Sequence, residues 1–241
     1  MREVAPGRLA RMAGGLYLIN IVLGFFAVGI VPGTIIVAGD PTATIHNLQT
    51  HELLYRLGLV AHVIILATNV PLAVIFYELF KVVSRRLAML VVFFTLVGTA
   101  VEGSTLANQF APLTLLAQGP YAKALPTAQL LALAYLPLDQ LGVSYALSSV
   151  FFGFYGLTIG YLVYRSTFLP RVIGILLAIG ASCYLVYSSA IFISPDFTAH
   201  LVPYIQLPSL VGEGSFTLWL LIAGVNVKRW TDRRAPAEVY A

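Results

Sequence analysis

Three ionisable side chains stand inside long apolar stretches of this chain: His62, Glu102 and Glu213. A charge within such a stretch is costly and is by default a candidate for function. Glu102 lies eight residues before Phe110 in the run Leu87–Phe110. At the helical rise that is about 12 Å from the end of the run. His62 lies eight residues after Leu54 in the run Leu54–Tyr77, at a similar depth of about 12 Å. A short basic segment joins these two runs, so they are expected to be antiparallel neighbours with the two side chains in hydrogen-bonding reach. Asn69, just before Pro71, lies deeper, and Glu213 sits near the start of Leu210–Val227, about 5 Å in. Arg56, Asp139 and Gln140 lie near the same surface. Together these residues predict a polar cluster in one half of a helical bundle, with a water-accessible cavity. In it Glu102 and Glu213 serve as proton or cation sites, His62 is a tunable partner, and Asn69, Arg56 and Asp139 are further ligand or proton candidates.

Each residue also admits a structural role. Glu102 kept neutral, or bonded to His62 or a backbone carbonyl, fastens helices together. Glu213 at a helix N-terminus is stabilised by the macrodipole. Glu78, beside Lys81 and one turn from Arg85, fits an interfacial ion pair.

Most enzyme templates are missing. The chain has no P-loop, no GxGxxG and no H-E-x-x-H. His46, His51, His62 and His200, with Asp40, Asp139 and Asp196, are too loosely spaced to define a zinc site. His62 is the one histidine deep in an apolar run, so a bis-histidine haem is not expected. The single cysteine, Cys183, permits no intramolecular disulfide and no cysteine-based metal site. We therefore assign no catalytic residue, metal or cofactor, and the sequence leans away from an enzyme.

The elements that would position these residues follow from composition. Of 241 residues, 59% are hydrophobic and 10% charged. Soluble domains carry about 25% charged residues, so lipid must be the solvent for most of this surface. Apolar runs long enough to cross a bilayer cover Met12–Val31, Leu54–Tyr77, Leu87–Phe110, Gly142–Tyr164, Arg171–Ile193 and Leu210–Val227. Lipid offers backbone groups no partners, so these runs must be helices. The expected fold class is all-α, a polytopic bundle of about six transmembrane helices. The first run is too long for a secretory h-region and no clear cleavage site follows, so it reads as a retained helix.

The basic residues orient the bundle. Arg2, Arg8, Arg11, Lys81, Arg85, Arg86, Arg165, Arg171, Lys228, Arg229, Arg233 and Arg234 fall on one predicted side, Arg56 and Lys123 on the other. The positive-inside rule makes the richer side cytoplasmic, with both termini inside. Ser84 and Ser166 should then be inside, and Thr42, Gln118 and Asp196 outside. The net charge of +4 is explained by these anchors, which can also touch anionic lipid heads, and does not suggest nucleic acid.

The expected organisation is a cytoplasmic segment 1–11, a membrane domain 12–227 and a cytoplasmic basic tail 228–241 whose end, after Trp230, is solvated. On the outer side, the stretch from Gly39 to Glu52 can form a short interfacial helix. Thr127–Leu136 is too short to cross; it lies at the interface or leads into the fourth span, bent by Pro137. The fourth span carries a small-residue stripe, Ala146, Ser149, Gly153, Gly156 and Gly160, that suits close helix packing within the bundle or in a homodimer.

Several blocks carry a family resemblance: Ala10-Arg11-Met12-Ala13-Gly14-Gly15-Leu16-Tyr17-Leu18, Gly39-Asp40-Pro41-Thr42-Ala43-Thr44, Leu54-Tyr55-Arg56-Leu57-Gly58, Tyr77-Glu78-Leu79-Phe80-Lys81, Phe151-Phe152-Gly153-Phe154-Tyr155-Gly156, and the stretch from Gly160 through Tyr164-Arg165-Ser166-Thr167-Phe168-Leu169-Pro170-Arg171 to Gly174. In this order, over roughly residues 8–229, they resemble the bacterial membrane family termed domain of unknown function 4386. The resemblance implies a polytopic inner-membrane protein and supplies no activity. From the residues, the expectation is a small transporter or ligand-binding membrane protein with an outer-half polar cavity, acting on a small-molecule ligand. The alternatives are an intramembrane enzyme for lipid-like substrates at the outer leaflet, or a structural or regulatory subunit.

Overall fold

The computed structural model describes residues 5–117, 119–202 and 204–239, with the backbone alone at 121, 122 and 235–239. Residues 1–4, with Arg2, and Gln118, Pro203, Tyr240 and Ala241 lie outside the described residues. Among those described there is no strand. Six helical units are long and apolar enough to cross a membrane.

The first, α1, runs Pro6–Ile35. Pro6 at its start costs no hydrogen bond there. A π-helical turn at Phe25–Ile30 interrupts it, flanked by Gly24 and Pro32. The short α2, Pro41–Thr50, is N-capped by Asp40, whose Oδ1 accepts from the Ala43 amide at 2.9 Å. The second span is α3, Glu52–Phe80, and the third is α4, Arg85–Asn108, capped by Ser84. Three helices follow at the far end: α5, Ala111–Leu116, α6, Pro120–Ala124, and α7, Thr127–Asp139. The fourth span, α8, is Leu141–Ser166, stopped by Thr167 at φ 63° and by Pro170. Then come α9, Arg171–Ile193, α10, Pro195–Leu201, a 3-10 turn at Tyr204–Gln206, α11, Leu207–Ile222, and α12, Val227–Val239.

The six spans form a closed ring in chain order. α1 packs on α3, α3 on α4, α4 on α8, α8 on α9, α9 on α11, and α11 returns to α1. One end of the ring is basic, with the α3–α4 turn, the α8–α9 turn, α12 and the start of α1. There α12 is tied down. Trp230, 7% exposed, donates its indole N–H to the Leu79 carbonyl at 2.9 Å, and Arg229 donates to the Thr167 carbonyl at 3.1 Å. The basic tail from residue 228 thus starts as a helix docked through Arg229 and Trp230, and the helix continues past Trp230 to Val239. The other end is capped: α2 and α5 both pack against α7, and Thr44, Ile45 and Leu48 of α2 are buried.

Two apolar cores fill the ring. Near the basic end Tyr17, Phe76, Phe80, Tyr155 and Phe216 meet on the axis, with Phe76 and Phe216 centroids 5.6 Å apart. Near the capped end Val31, Ile35, Leu48, Tyr55, Leu59 and Leu138 cluster. Outside, large apolar side chains such as Phe25, Val60, Phe93 and Ile179 are exposed, as lipid-facing surfaces require.

The small-residue stripe of α8 faces α9. A Cβ on Gly156 would lie 2.7 Å from the Ala181 Cβ, and one on Gly160 would lie 2.8 Å from the Gly174 carbonyl oxygen. This stripe is therefore an intramolecular contact, and a homodimer through the fourth span would have to use its other face. The last span starts at Leu207 and ends at Ile222, earlier than the expected Leu210–Val227. Gly224 at φ 69° ends it, its amide bonding to the Trp219 carbonyl at 2.9 Å, a glycine C-cap.

Candidate functional site

The polar residues of the apolar spans divide into three groups, not one cluster. In the first, His62 of α3 and Glu102 of α4 meet in the half of the bundle nearer the cap. Their Nε2 and Oε1 atoms are 2.7 Å apart, with the side chains only 14% and 13% exposed. The equal depths read from the sequence place them correctly. His62 also lines an apolar pocket of about 40 Å³ with Ala27, Val31, Tyr55, Gly58 and Gln109. That is room for water, not for a drug-sized ligand. The π-helical turn of α1 borders this pocket through Ala27.

Gln109, which the sequence did not single out, holds the pocket's rim. Its backbone carbonyl accepts from the Tyr55 hydroxyl at 2.6 Å, and its side-chain amide donates to the Pro137 carbonyl at 2.7 Å. This pins the bent α7–α8 join onto the end of α4.

The second group is a clamp. Asn69 lies seven residues beyond His62 on α3, about 10 Å along the helix. Its carbonyl accepts from the Asn20 amide of α1 at 2.8 Å, and its own amide donates to Thr99 of α4 at 3.1 Å. Thr68 donates to the Asn20 carbonyl. The Asn20–Asn69–Thr99 chain fastens three spans. Asn20 had no signal in the sequence beyond being one neutral amide in an apolar run.

The third group surrounds Glu213. It is the seventh residue of α11, well past the free N–H groups of the helix start. Stabilisation by a helix N-terminus therefore does not apply. Tyr184 of α9 donates to Glu213 Oε1 at 3.0 Å. Tyr17 of α1 and Tyr155 of α8 line the same small cavity as Glu213. Tyr145 of α8 is within reach of Tyr184 and in electrostatic range of both Glu213 and Glu102. No lysine, arginine or histidine forms a salt bridge with Glu213 among the described residues. These four tyrosines come from three helices, and no spacing in the chain announces their meeting.

Arg56 and Asp139 join none of these groups. Arg56 pairs with Glu52 at 2.7 Å in an exposed (i, i+4) contact, and Asp139 accepts from Tyr135 at 3.1 Å. Glu78 pairs with Lys81 at 2.6 Å, as its position suggested. Among the described residues no three histidine, cysteine, aspartate or glutamate side chains gather as a metal site.

Six apolar helices closed into a ring, an apolar exterior and acids turned inward define a polytopic integral membrane protein. Within that class, the chain belongs to the family described as domain of unknown function (DUF4386), which it matches over residues 12–224. No curated protein and no solved structure matches it.

Proposed function

We propose that this protein is a small transporter or ligand-binding membrane protein that takes up and releases a proton or cation at Glu102 and Glu213. One observation carries the reading. Two carboxylates, from α4 and α11, belong to one closed ring, and each has a partner that can exchange a proton, His62 at 2.7 Å from Glu102 and Tyr184 at 3.0 Å from Glu213. A hydroxyl can donate and accept at once, so Tyr184 can pass a proton to or from Glu213.

The pocket beside His62 supports an approach from the capped end. Its small volume means that a larger ligand needs the ring to open, and the π-helical turn of α1, Pro71 within α3 and the Pro137 bend interrupt the regular helices. The split of basic residues supports a cytoplasmic basic end, with both termini inside a bacterial inner membrane. Membrane lipids cover the exterior. His62 held by Glu102 is also a base–carboxylate couple at an apolar pocket, which favours the enzyme reading; the pocket lining offers no serine, cysteine or threonine as nucleophile.

Infrared difference spectroscopy on protein in lipid nanodiscs, stepped between acid and alkaline buffer, tests the proposal. A carboxyl C=O band should appear with acid, and Glu102→Gln and Glu213→Gln should each remove a component. If neither variant changes the spectrum, both acids are structural and the proposal fails.

A further inference from the structure

Resting on that reading, the structure assigns a more specific role to the Glu213 group: we infer that it binds one small monovalent cation, sodium or ammonium, between α1, α8, α9 and α11. The argument starts from charge. Glu213 has no cationic side chain in salt-bridge contact among the described residues. A single carboxylate away from water balances a single positive charge. A divalent ion would want more acids, and no group of three metal-ligating side chains exists among the described residues.

Donor type and size point the same way. The polar groups around the carboxylate are hydroxyls: Tyr184 donates to it at 3.0 Å, and Tyr17, Tyr155 and Ser209 line the cavity beside it. Oxygen donors suit hard cations. Tyr17, Tyr155, Tyr184, Ser209 and Glu213 line a cavity of about 10 Å³, the room of one water-sized particle. Gly156 and Gly180 also line it, and they let α8, α9 and α11 approach closely around that space, since a Cβ at either would meet Ala181 or the Ser209 backbone. An organic cation the size of choline does not fit.

A second observation is independent of the carboxylate. Thr217 is fully buried, and its hydroxyl has no hydrogen-bond partner among the described residues. It sits four residues after Glu213, on the same face of α11. A buried hydroxyl without a partner is costly, and it marks unmet polarity one turn from Glu213 on α11. Among the described residues, every titratable group near Glu213 is a tyrosine: Tyr17 from α1, Tyr145 and Tyr155 from α8, and Tyr184 from α9.

The test measures cation binding to the full-length protein in nanodiscs, by radioactive sodium binding and by thermal stability in sodium, ammonium or choline chloride at equal ionic strength. Wild type should bind one ion per chain saturably. Its melting temperature should rise in sodium or ammonium, whichever is bound, and not in choline. Tyr184→Phe and Thr217→Val keep the carboxylate and should weaken binding about tenfold and severalfold; Glu213→Gln should abolish it. Glu52→Gln, in the exposed ion pair, should bind like wild type. Equal stabilisation in all three salts, or unchanged binding in both Glu213→Gln and Tyr184→Phe, overturns the inference. If cations have no effect while the Glu213 infrared band still responds to acid, the inference falls and the proton-handling reading stands. If the band is also silent, both fall.

Discussion

A single carboxylate can be a fastener or a working group, and the contact geometry of Glu102 separates these roles by substitution. Glu102→Gln keeps a hydrogen-bond partner for His62, so the cost should stay under about 1 kcal/mol. Glu102→Ala strands the His62 ring, which is only 14% exposed, and should cost about 3 kcal/mol. Unfolding in detergent, followed by circular dichroism, reads both. Equal losses for the two variants would mean that the pair contributes bulk and not a hydrogen bond. The pair was legible in the sequence because both residues are expensive in lipid and share a depth. Asn20 and the four tyrosines were not. A neutral amide or a phenol in an apolar run carries little cost by itself, and its meaning comes from partners on other helices. Asn69 is a ligand candidate in the sequence, and its clamp contacts to Asn20 and Thr99 were not legible there.

At the scale of elements, length and apolarity located all six spans, while their ends depended on local chemistry. Arg171–Ile193 has the expected bounds because Pro170 precedes it and Pro195 follows Ser194. The last span was displaced because Gly224 acts as a C-cap within an apolar run, where composition gives no warning. The docking of α12 through Trp230 depends on a carbonyl of α3, 151 residues away. Helix contacts now make opposite predictions for two glycines. Gly156→Ala places a Cβ 2.7 Å from that of Ala181, so it should destabilise the bundle by about 1–3 kcal/mol. Gly15→Ala meets nothing within 4 Å and should be neutral or stabilising by up to about 1 kcal/mol, the helix-propensity gain. Thermal melts of both proteins in one detergent decide this. A Gly156→Ala variant as stable as wild type would show that α8 and α9 can part without penalty.

For the whole molecule, the ring order links the distribution of charge to function. Consecutive spans alternate direction, so six of them bring α1 and α11 side by side with their chain ends at one face. Glu213 on the last span thereby meets Tyr17 on the first, and the cage cannot form until the ring closes. The same closure puts every described basic residue except Arg56 and Lys123 at one end. Single cysteines in a Cys183→Ala background test the orientation. Ser84, Thr167 and Thr231 should be shielded from a membrane-impermeant maleimide in intact cells and react after lysis. Thr42 and Asp196, both exposed at the capped end, should react at once. Thr167 serves better than Ser166, which is buried and accepts from the Leu169 amide at 3.3 Å. Labelling of Thr167 in intact cells would place the basic end outside and reverse the direction from which the His62 pocket is reached. Protection of Thr167 with labelling of Thr42 would put that pocket toward the external side.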